Sequence, residues 1–343
     1  MALRMYRYIR NLALSTIILS VSSVSLFAAN AGSRASFTRG GWVGARYVAT
    51  GMTAEVLADD VFAIYWNPAG LTELRGKKKV SAEDLKEKVR TGNADDIKEE
   101  DLLKFSEDEN EPAVVHVGAS GAILDAERQA CFTGVAFNLL GGVAGVGFYS
   151  IFSLDIPTYD DLGVSTGSTN YVAGVSYFSY AYEFGVASFG ASVKMLYERI
   201  DTVNYGGAGA DLGTQVFVLP FLKVGFMVQD LGTGLFPYNN EAGVDKKYEF
   251  AHPSLRLGIA LLSDSGLTFA LSVIKKLEQD NYQVSAGVQY DLAKYLSLYL
   301  GVNNAYFSTG LTVSFYNMTF SYAMSFDNID YGINNVVSFS LLF

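Results

Sequence analysis

The sequence predicts an all-β protein, a transmembrane β-barrel of the outer-membrane type with about 14 antiparallel strands and an N-terminal plug. The chain is 50% hydrophobic and 14% aromatic. Nevertheless, no apolar run after residue 31 reaches the roughly 18 residues that a spanning helix needs. From residue 113 onward, apolar residues alternate with small polar ones, as they do in strands with two different faces.

A cleaved signal peptide is predicted at residues 1–31. Arg4, Arg7 and Arg10 form a basic start, an apolar stretch follows, and 29–31 fits the small-residue cleavage pattern. The alternative is an uncleaved membrane anchor. Without these three arginines the formal net charge falls from −10 to −13. No nucleic acid partner is expected, because phosphate binding needs clustered Lys and Arg.

Composition divides the rest of the chain into three parts, residues 32–71, 72–112 and 113–343. Residues 72–112 contain thirteen acidic and nine basic residues, and the stretch from Ser81 has the pattern of a capped, solvated helix. We therefore predict a charged, partly helical insertion on the periplasmic side. It is either a flexible solvated insertion or a binding element for a periplasmic protein partner.

Residues 58–71 are the most distinctive stretch of the N-terminal part. Asp59 and Asp60 can cap a short helical turn. That turn must end at Asn67, because the residue before Pro68 avoids the α region. The resulting knot carries several aromatic side chains that need a surface to pack against. We expect residues 32–71 to form a hatch that plugs the barrel, whereas the alternative is a helix end in a soluble domain.

The stretch Ala-Asp-Asp, followed by Ala-Ile-Tyr-Trp-Asn-Pro-Ala-Gly-Leu, resembles the N-terminal signature of two related barrel groups. These are the FadL-like long-chain fatty acid transporters and the PorV/PorQ proteins linked to type IX secretion. The resemblance implies that Asn67, Pro68 and Ala69 are hatch residues. The preceding Tyr65 and Trp66 are more similar to the PorV/PorQ group than to the transporters. Weaker similarities follow at 210–213, 228–232, 253–258 and 286–290.

The alternating part of the chain is divided into fourteen predicted strands. They cover residues 113–123, 130–139, 142–153, 171–184, 185–200, 205–219, 221–231, 254–262, 267–277, 281–291, 295–303, 306–316, 318–327 and 332–343. The long connections are expected at 154–170 and 232–253. Because both ends of an even-stranded barrel lie on one side, parity places both long connections outside the cell.

Four glycines cluster at the predicted third strand, Gly141, Gly142, Gly145 and Gly147. Glycines inside a strand often mark a bulge or a close approach of another backbone. In the transporters that the chain resembles, a kink in the third strand opens a lateral window to the membrane. The glycines are therefore candidates for such an opening. The alternative is that they make room for the hatch.

The last predicted strand has alternating apolar residues and an aromatic C-terminal residue. Phe339, Leu341 and Phe343 lie on one face of this strand. This pattern looks like the signal that the barrel assembly machinery reads, so that machinery is an expected partner. A chance origin remains open, because phenylalanine is common in this chain.

Catalytic chemistry has little support in the sequence. His116 and His252 lack metal-ligand spacing and a neighbouring nucleophile motif, and the single cysteine, Cys131, excludes a disulfide framework. No enzyme activity, metal or cofactor is expected. The predicted location is the bacterial outer membrane, where lipid would surround the barrel as an expected partner. The resemblance implies passive uptake of a hydrophobic ligand, with fatty acids as the substrate class. The alternative is a PorV/PorQ-like adaptor for a secretion or envelope complex.

Overall fold

A computed structural model describes residues 34–75, 115–124, 127–238, 249–277, 282–303, 306–327 and 332–343. The predicted signal peptide and residues 76–114, which form most of the predicted insertion, lie outside the described residues. The described part of the chain forms a barrel wall and a plug that fills its lumen.

Fifteen strands occur in the described residues, and fourteen of them close the barrel. They are β1 Val115–Ile123, β2 Arg128–Leu139, β3 Gly142–Tyr159, β4 Ser165–Phe184, β5 Ala187–Ile200, β6 Val203–Leu219, β7 Leu222–Pro237, β8 Glu249–Phe250, β9 Ser254–Leu262, β10 Leu267–Lys276, β11 Tyr282–Ala293, β12 Leu296–Asn303, β13 Tyr306–Phe315, β14 Met318–Asp327 and β15 Ile333–Leu342. Each wall strand pairs antiparallel with its neighbours, and β15 closes the wall on β1. The two-residue β8 pairs only with β7 among the described strands.

Each predicted wall strand is present, which confirms the fold class. The main difference is the region 154–170, which was expected to be a loop. It is mostly strand, because β3 continues to Tyr159 and β4 begins at Ser165. The pairing resumes after a register shift between Ser153 and Ile156, so an irregularity that looked like a strand end is a bulge within a long hairpin.

The two faces of the strands differ as the alternation predicts. In β4, Phe178 and Tyr182 are both 47% exposed on the outside, whereas Tyr177 and Ala181 are fully buried inside. In β14, Ser321 and its alternate neighbours face inward in the same way. An apolar outer face around a more polar lumen is the arrangement of a membrane barrel. None of the helices in the described ranges is long and apolar enough to cross a membrane.

The two ends of the barrel have different connections. At one end, the turn end, the wall strands are joined by tight turns at 140–141, 185–186, 220–221, 263–266, 294–295 and 316–317. The start of β1 and the end of β15 lie at this same end. The connection expected at 232–253 is shorter, because β7 continues to Pro237, and it contains the short strand β8. This longest connection, 238–253, lies at the opposite end, the loop end. This arrangement agrees with the predicted parity.

The plug is a chain of short helices. It consists of the 3₁₀ helix η1 Arg34–Arg39, the α-helices α1 Ala45–Ala49, α2 Ala54–Leu57 and α3 Ala63–Trp66, and the 3₁₀ helix η2 Pro68–Leu74. Thr72 and Leu74 are buried, so the plug extends past residue 71, the predicted end of the hatch. The reason is that proline favours the first turn of a helix, and η2 then packs against β4 and β5.

Candidate functional site in the plugged lumen

An aromatic cluster joins the centre of the plug to the wall. The Tyr65 ring lies 5.1 Å from the Trp66 ring and 5.2 Å from the ring of Tyr149 on β3. The Trp66 indole donates to the Val43 carbonyl at 2.7 Å, and the Tyr65 hydroxyl accepts from the Gly41 amide at 2.8 Å. Tyr65 and Trp66 are almost fully buried. Their contacts hold the segments of the plug together, and Tyr65 also packs on the wall.

The Asn-Pro-Ala part of the motif ends α3 and fixes the following turn. Asn67 has the extended dihedrals φ −160° and ψ 104°, and its Oδ1 accepts from the Ala69 amide at 3.1 Å. Its Nδ2 donates to the Glu55 carbonyl at 2.6 Å. Pro68 then occupies the first turn of η2. The motif therefore ties α2, α3 and η2 together.

A ring of lumen-facing glycines, which we call the glycine girdle, receives the plug. A Cβ on any of them would meet plug atoms closer than side chains normally approach. Many are direct cross-strand partners, such as Gly225 with Gly258 and Gly287 with Gly301. The girdle consists of Gly118, Gly145, Gly147, Gly190, Gly213, Gly225, Gly258, Gly287, Gly301 and Gly310. The glycine girdle was not predicted from the sequence, although glycine on the lumen face of successive strands was a usable signal.

The four glycines of the third strand have three different environments. Gly141 has φ +74° in the turn before β3, and Gly142 packs tightly on the Ala181 carbonyl of β4. At Gly145 and Gly147, a Cβ would lie 2.8 and 2.9 Å from Ile64 of the plug. Pairing with both neighbours is unbroken over 143–153. Two of the glycines thus make room for the plug, and the lateral opening at this strand stays a prediction.

A buried charge cluster connects three wall strands to η1. Lys194 of β5 donates to Asp211 of β6 at 2.7 Å and also to Asp230 of β7. Asp230 additionally pairs with Arg39 at 2.9 Å and accepts from the Thr38 hydroxyl at 2.9 Å. Asp211 and Asp230 come from the segments 210–213 and 228–232, but the sequence did not show that they meet. The two cations and two carboxylates balance, as buried charges must.

A second buried ion pair holds α2. Arg256 of β9 lies 3.6 Å from the Glu55 carboxylate, and its guanidinium stacks over Trp66 at 5.2 Å. Burial raises the pKa of Glu55, and the charge of Arg256 opposes this shift. Arg256 also donates to Gln229 at 3.3 Å. The position of Trp66 is therefore coupled to that of a charged wall residue.

A cavity of about 200 Å³ lies on the loop-end side of the plug, and we call it the loop-end chamber. Trp42, Met52, Trp66 and Ile274 provide its apolar lining. The cationic side chains that line it are Arg39, Arg256 and Lys276. An apolar surface beside several cations suits a molecule with a hydrophobic body and an anionic group.

A second cavity of about 290 Å³, the turn-end chamber, lies on the other side of the plug. Hydroxyl side chains of β12 to β15 form much of its lining. Arg46 and Asp59 form a bidentate ion pair there, with distances of 2.5 and 3.1 Å. Burial, together with the neighbouring carboxylate of Asp59, raises the pKa of Asp60 to about 7. This chamber is polar, in contrast to the loop-end chamber.

The remaining predicted residues do not form a catalytic site. The Nε2 atom of His116 lies 3.2 Å from the Leu74 carbonyl, and His252 is buried near the loop end. Among the residues that the structure describes, no cluster of His, Cys, Asp or Glu could hold a metal ion. Phe343 exchanges backbone hydrogen bonds with Val115 and its side chain is exposed. Its role as an assembly signal, with Phe339 and Leu341, stays a prediction.

These features define an outer-membrane-type β-barrel with a plugged lumen. Its fold is similar to that of the toluene transporter TbuX of Ralstonia pickettii, with a TM-score of 0.57, 13% identity, and coverage of 88% of this chain and 98% of that one. It is also similar to that of the toluene transporter TodX of Pseudomonas putida, with a TM-score of 0.57, 13% identity, and coverage of 87% of this chain and 97% of that one. For a FadL homologue of Pseudomonas aeruginosa the TM-score is 0.53 at 10% identity, with coverage of 88% of this chain and 98% of that one.

At these low identities the likeness concerns the fold. No family model matches the sequence, and no curated protein matches it.

Proposed function

We propose that the protein is an outer-membrane channel for passive uptake of hydrophobic molecules, with long-chain fatty acids as its substrates. The observation that carries this proposal is the loop-end chamber, where Trp42 and Trp66 lie beside three cationic side chains. The tryptophans suit an acyl chain. Arg39 and Arg256 each pair with a carboxylate of the protein, so a ligand carboxylate would share these two cations and would also meet Lys276. A transport function also agrees with the similarity to toluene transporters.

The chamber favours a fatty acid over a neutral hydrocarbon. Toluene would use only the apolar lining, so Arg39, Arg256 and Lys276 would bring it no benefit. In the proposed orientation the loop end faces outward and the turn end faces the periplasm, because both ends of the wall lie at the turn end. The chamber would then receive molecules from outside the cell.

The test is uptake of a labelled long-chain fatty acid, and of labelled toluene, into a strain that lacks its own route. We expect Lys276→Gln to lower fatty acid uptake about 1.4- to fivefold, since a partly exposed charge pair contributes about 0.2–1 kcal/mol. Toluene uptake should not change. Parent protein that confers no uptake above an empty vector would refute the proposal.

The second candidate is a PorV/PorQ-like adaptor that binds a periplasmic protein through 72–112. The observation that favours it is the position where this segment leaves and rejoins the barrel. Glu73 pairs with Lys223 at 3.5 Å, and the Leu74 carbonyl contacts His116, both at the turn end. Deleting residues 78–110 should leave uptake intact if the protein is a channel. For an adaptor, the deletion should instead abolish capture of an envelope partner.

A further inference from the structure

The wall of the turn-end chamber carries its hydroxyl side chains in two rows that run across neighbouring strands. Each row follows the cross-strand pairs of β12 to β15, so that successive hydroxyl groups lie side by side on the lumen face. The deeper row consists of Ser297, Thr312, Ser321 and Ser338, and the outer row, which is nearer the tight turns, consists of Ser314, Thr319 and Ser340.

The hydroxyl groups of the outer row differ from those deeper in the barrel. On β13 and β14, Ser308 bonds to Ser325 at 3.1 Å, and Thr312 bonds to Ser321 at 2.7 Å. Within the part of the chain that the structure describes, the outer row makes no side-chain hydrogen bond. Since a hydroxyl group can both donate and accept, the outer row offers unused partners of both kinds to a molecule in the chamber.

The plug contributes charged groups and an aromatic ring to the same chamber. Arg46 uses three of its N–H groups, two toward Asp59 and one toward Gln289 of β11, so the others remain available as donors. Asp59 and Asp60 supply carboxylate oxygens, which only accept when ionised. Phe62 adds an apolar surface. The lining therefore combines donors, acceptors and groups that do both.

This chemistry favours a neutral polar ligand. An acyl chain would bury little apolar area against hydroxyl groups, and an anion would meet two carboxylates beside a single guanidinium. In the described ranges no group of three or more His, Cys, Asp or Glu could hold a metal ion. A molecule with several hydroxyl groups can donate to the carboxylates and accept from the guanidinium. The volume of about 290 Å³ lies at the lower end for ligand pockets, which suits a single sugar ring.

We propose that the turn-end chamber is a binding site for a neutral sugar of monosaccharide size, which enters from the turn end. The outer row binds it from the wall, and Arg46 and Asp59 bind it from the plug. Because the sugar contacts both parts, its binding stabilises the docked plug. The two chambers share no lining residue, so this site does not depend on the proposed uptake of hydrophobic molecules.

Saturation-transfer difference NMR with the purified protein tests the proposal. The probes are D-glucose, D-galactose, D-mannose and N-acetyl-D-glucosamine, in a detergent without a sugar headgroup. The variant is Ser314→Ala with Thr319→Val, a cross-strand pair of the outer row. The matched control is Ser308→Ala with Ser325→Ala, a cross-strand pair on the same two strands that lines neither chamber. Removing both partners of that hydrogen bond leaves no buried group unpaired.

We expect at least one of these sugars to bind the parent protein and the control equally well. The outer-row variant should bind it about tenfold more weakly, as the loss of two hydrogen bonds of ordinary strength implies. Binding of none of the four sugars would overturn the proposal. Equal binding by the parent and the outer-row variant, or an equal loss in the control, would overturn it as well.

Plug release provides a second readout, because Trp42 and Trp66, which report it by their emission, both lie in the plug. A saturating concentration of the bound sugar should raise the denaturant concentration at which the plug is released in the parent and in the control. The outer-row variant should show only the smaller shift that sugars cause in any protein by their exclusion from its surface. The same shift in all three proteins would contradict a site that links the plug to the wall.

Discussion

Gly213 of β6 lies so close to Asn67 of the plug that a Cβ at position 213 would overlap Asn67 Oδ1. Asn67 cannot easily move aside, because its side chain is bonded to Ala69 and to the Glu55 carbonyl. The same kind of close approach recurs around the glycine girdle. The plug is therefore held by many short-range contacts with the wall, and each contact can be tested separately.

The first prediction concerns this approach. Gly213→Ala should destabilise the docked plug by about 1–3 kcal/mol, as overpacking typically does. The control is Gly121→Ala on β1, where a Cβ would meet its nearest atom only at 3.9 Å. Both tryptophans of the chain, Trp42 and Trp66, lie in the plug, so tryptophan emission during denaturation reports plug release. Equal stability of the two variants would contradict the overlap.

The second prediction concerns the aromatic anchor. Trp66→Ala should destabilise the plug by about 3–5 kcal/mol, the usual cost of removing a large buried aromatic side chain. The barrel should persist, because its fourteen strands form a closed ladder of their own. Measurements of heat-modifiable migration and of small-solute leakage should show an intact barrel that leaks more. Trp66→Phe serves as the milder control, and loss of the barrel itself would count against a separate plug.

The third prediction concerns pH. Burial raises the pKa of Asp60 to about 7, above an unfolded value of about 3.9. The docked plug therefore binds the proton more tightly than the released plug. Its docking should weaken as pH rises from 5 to 7 and then level off. Plug release, followed by tryptophan emission at pH 5, 6, 7 and 8, should show this trend.

In Asp60→Asn the pH dependence should become smaller, with a remainder from Glu55, whose pKa is also raised by burial. Asp59 does not provide the trend, because the charge of Arg46 lowers its pKa against the opposing effect of burial. Docking that strengthens with pH, or an unchanged slope in Asp60→Asn, would refute the role of Asp60.

The fourth prediction concerns the chain terminus. Phe343 is 69% exposed, and its backbone pairs with Val115, so its side chain contributes little packing. We expect Phe343→Asp to lower the amount of assembled barrel, because the aromatic terminal residue is the predicted signal for assembly. Tyr316→Asp, at a residue that is 92% exposed in a turn, is the matched control. The assembled fraction is measured by heat-modifiable migration, and equal levels of both variants would argue against an assembly signal.

Local sequence alone determined that each wall strand exists, the orientation of the strand faces and the end of α3, but not the full length of β3 and β4. The period of two along a strand places Phe178 and Ser179 on opposite faces whatever the rest of the chain does. Likewise, Pro68 restricts the backbone of Asn67 by sterics between neighbouring residues. These features depend on residues adjacent in sequence, so they could be predicted before the structure.

Only the tertiary structure decided how the lumen is organised. Lys194 meets Asp211 and Asp230 because the registers of β5, β6 and β7 bring three distant positions together. A one-residue slip in any of these strands would turn a charge toward the lipid, and the bulges that set the register have no clear sequence mark. The glycine girdle and both chambers depend on the same closure of the wall around the plug. For this reason the sequence pointed to a plugged barrel, and the fold alone located the sites within it.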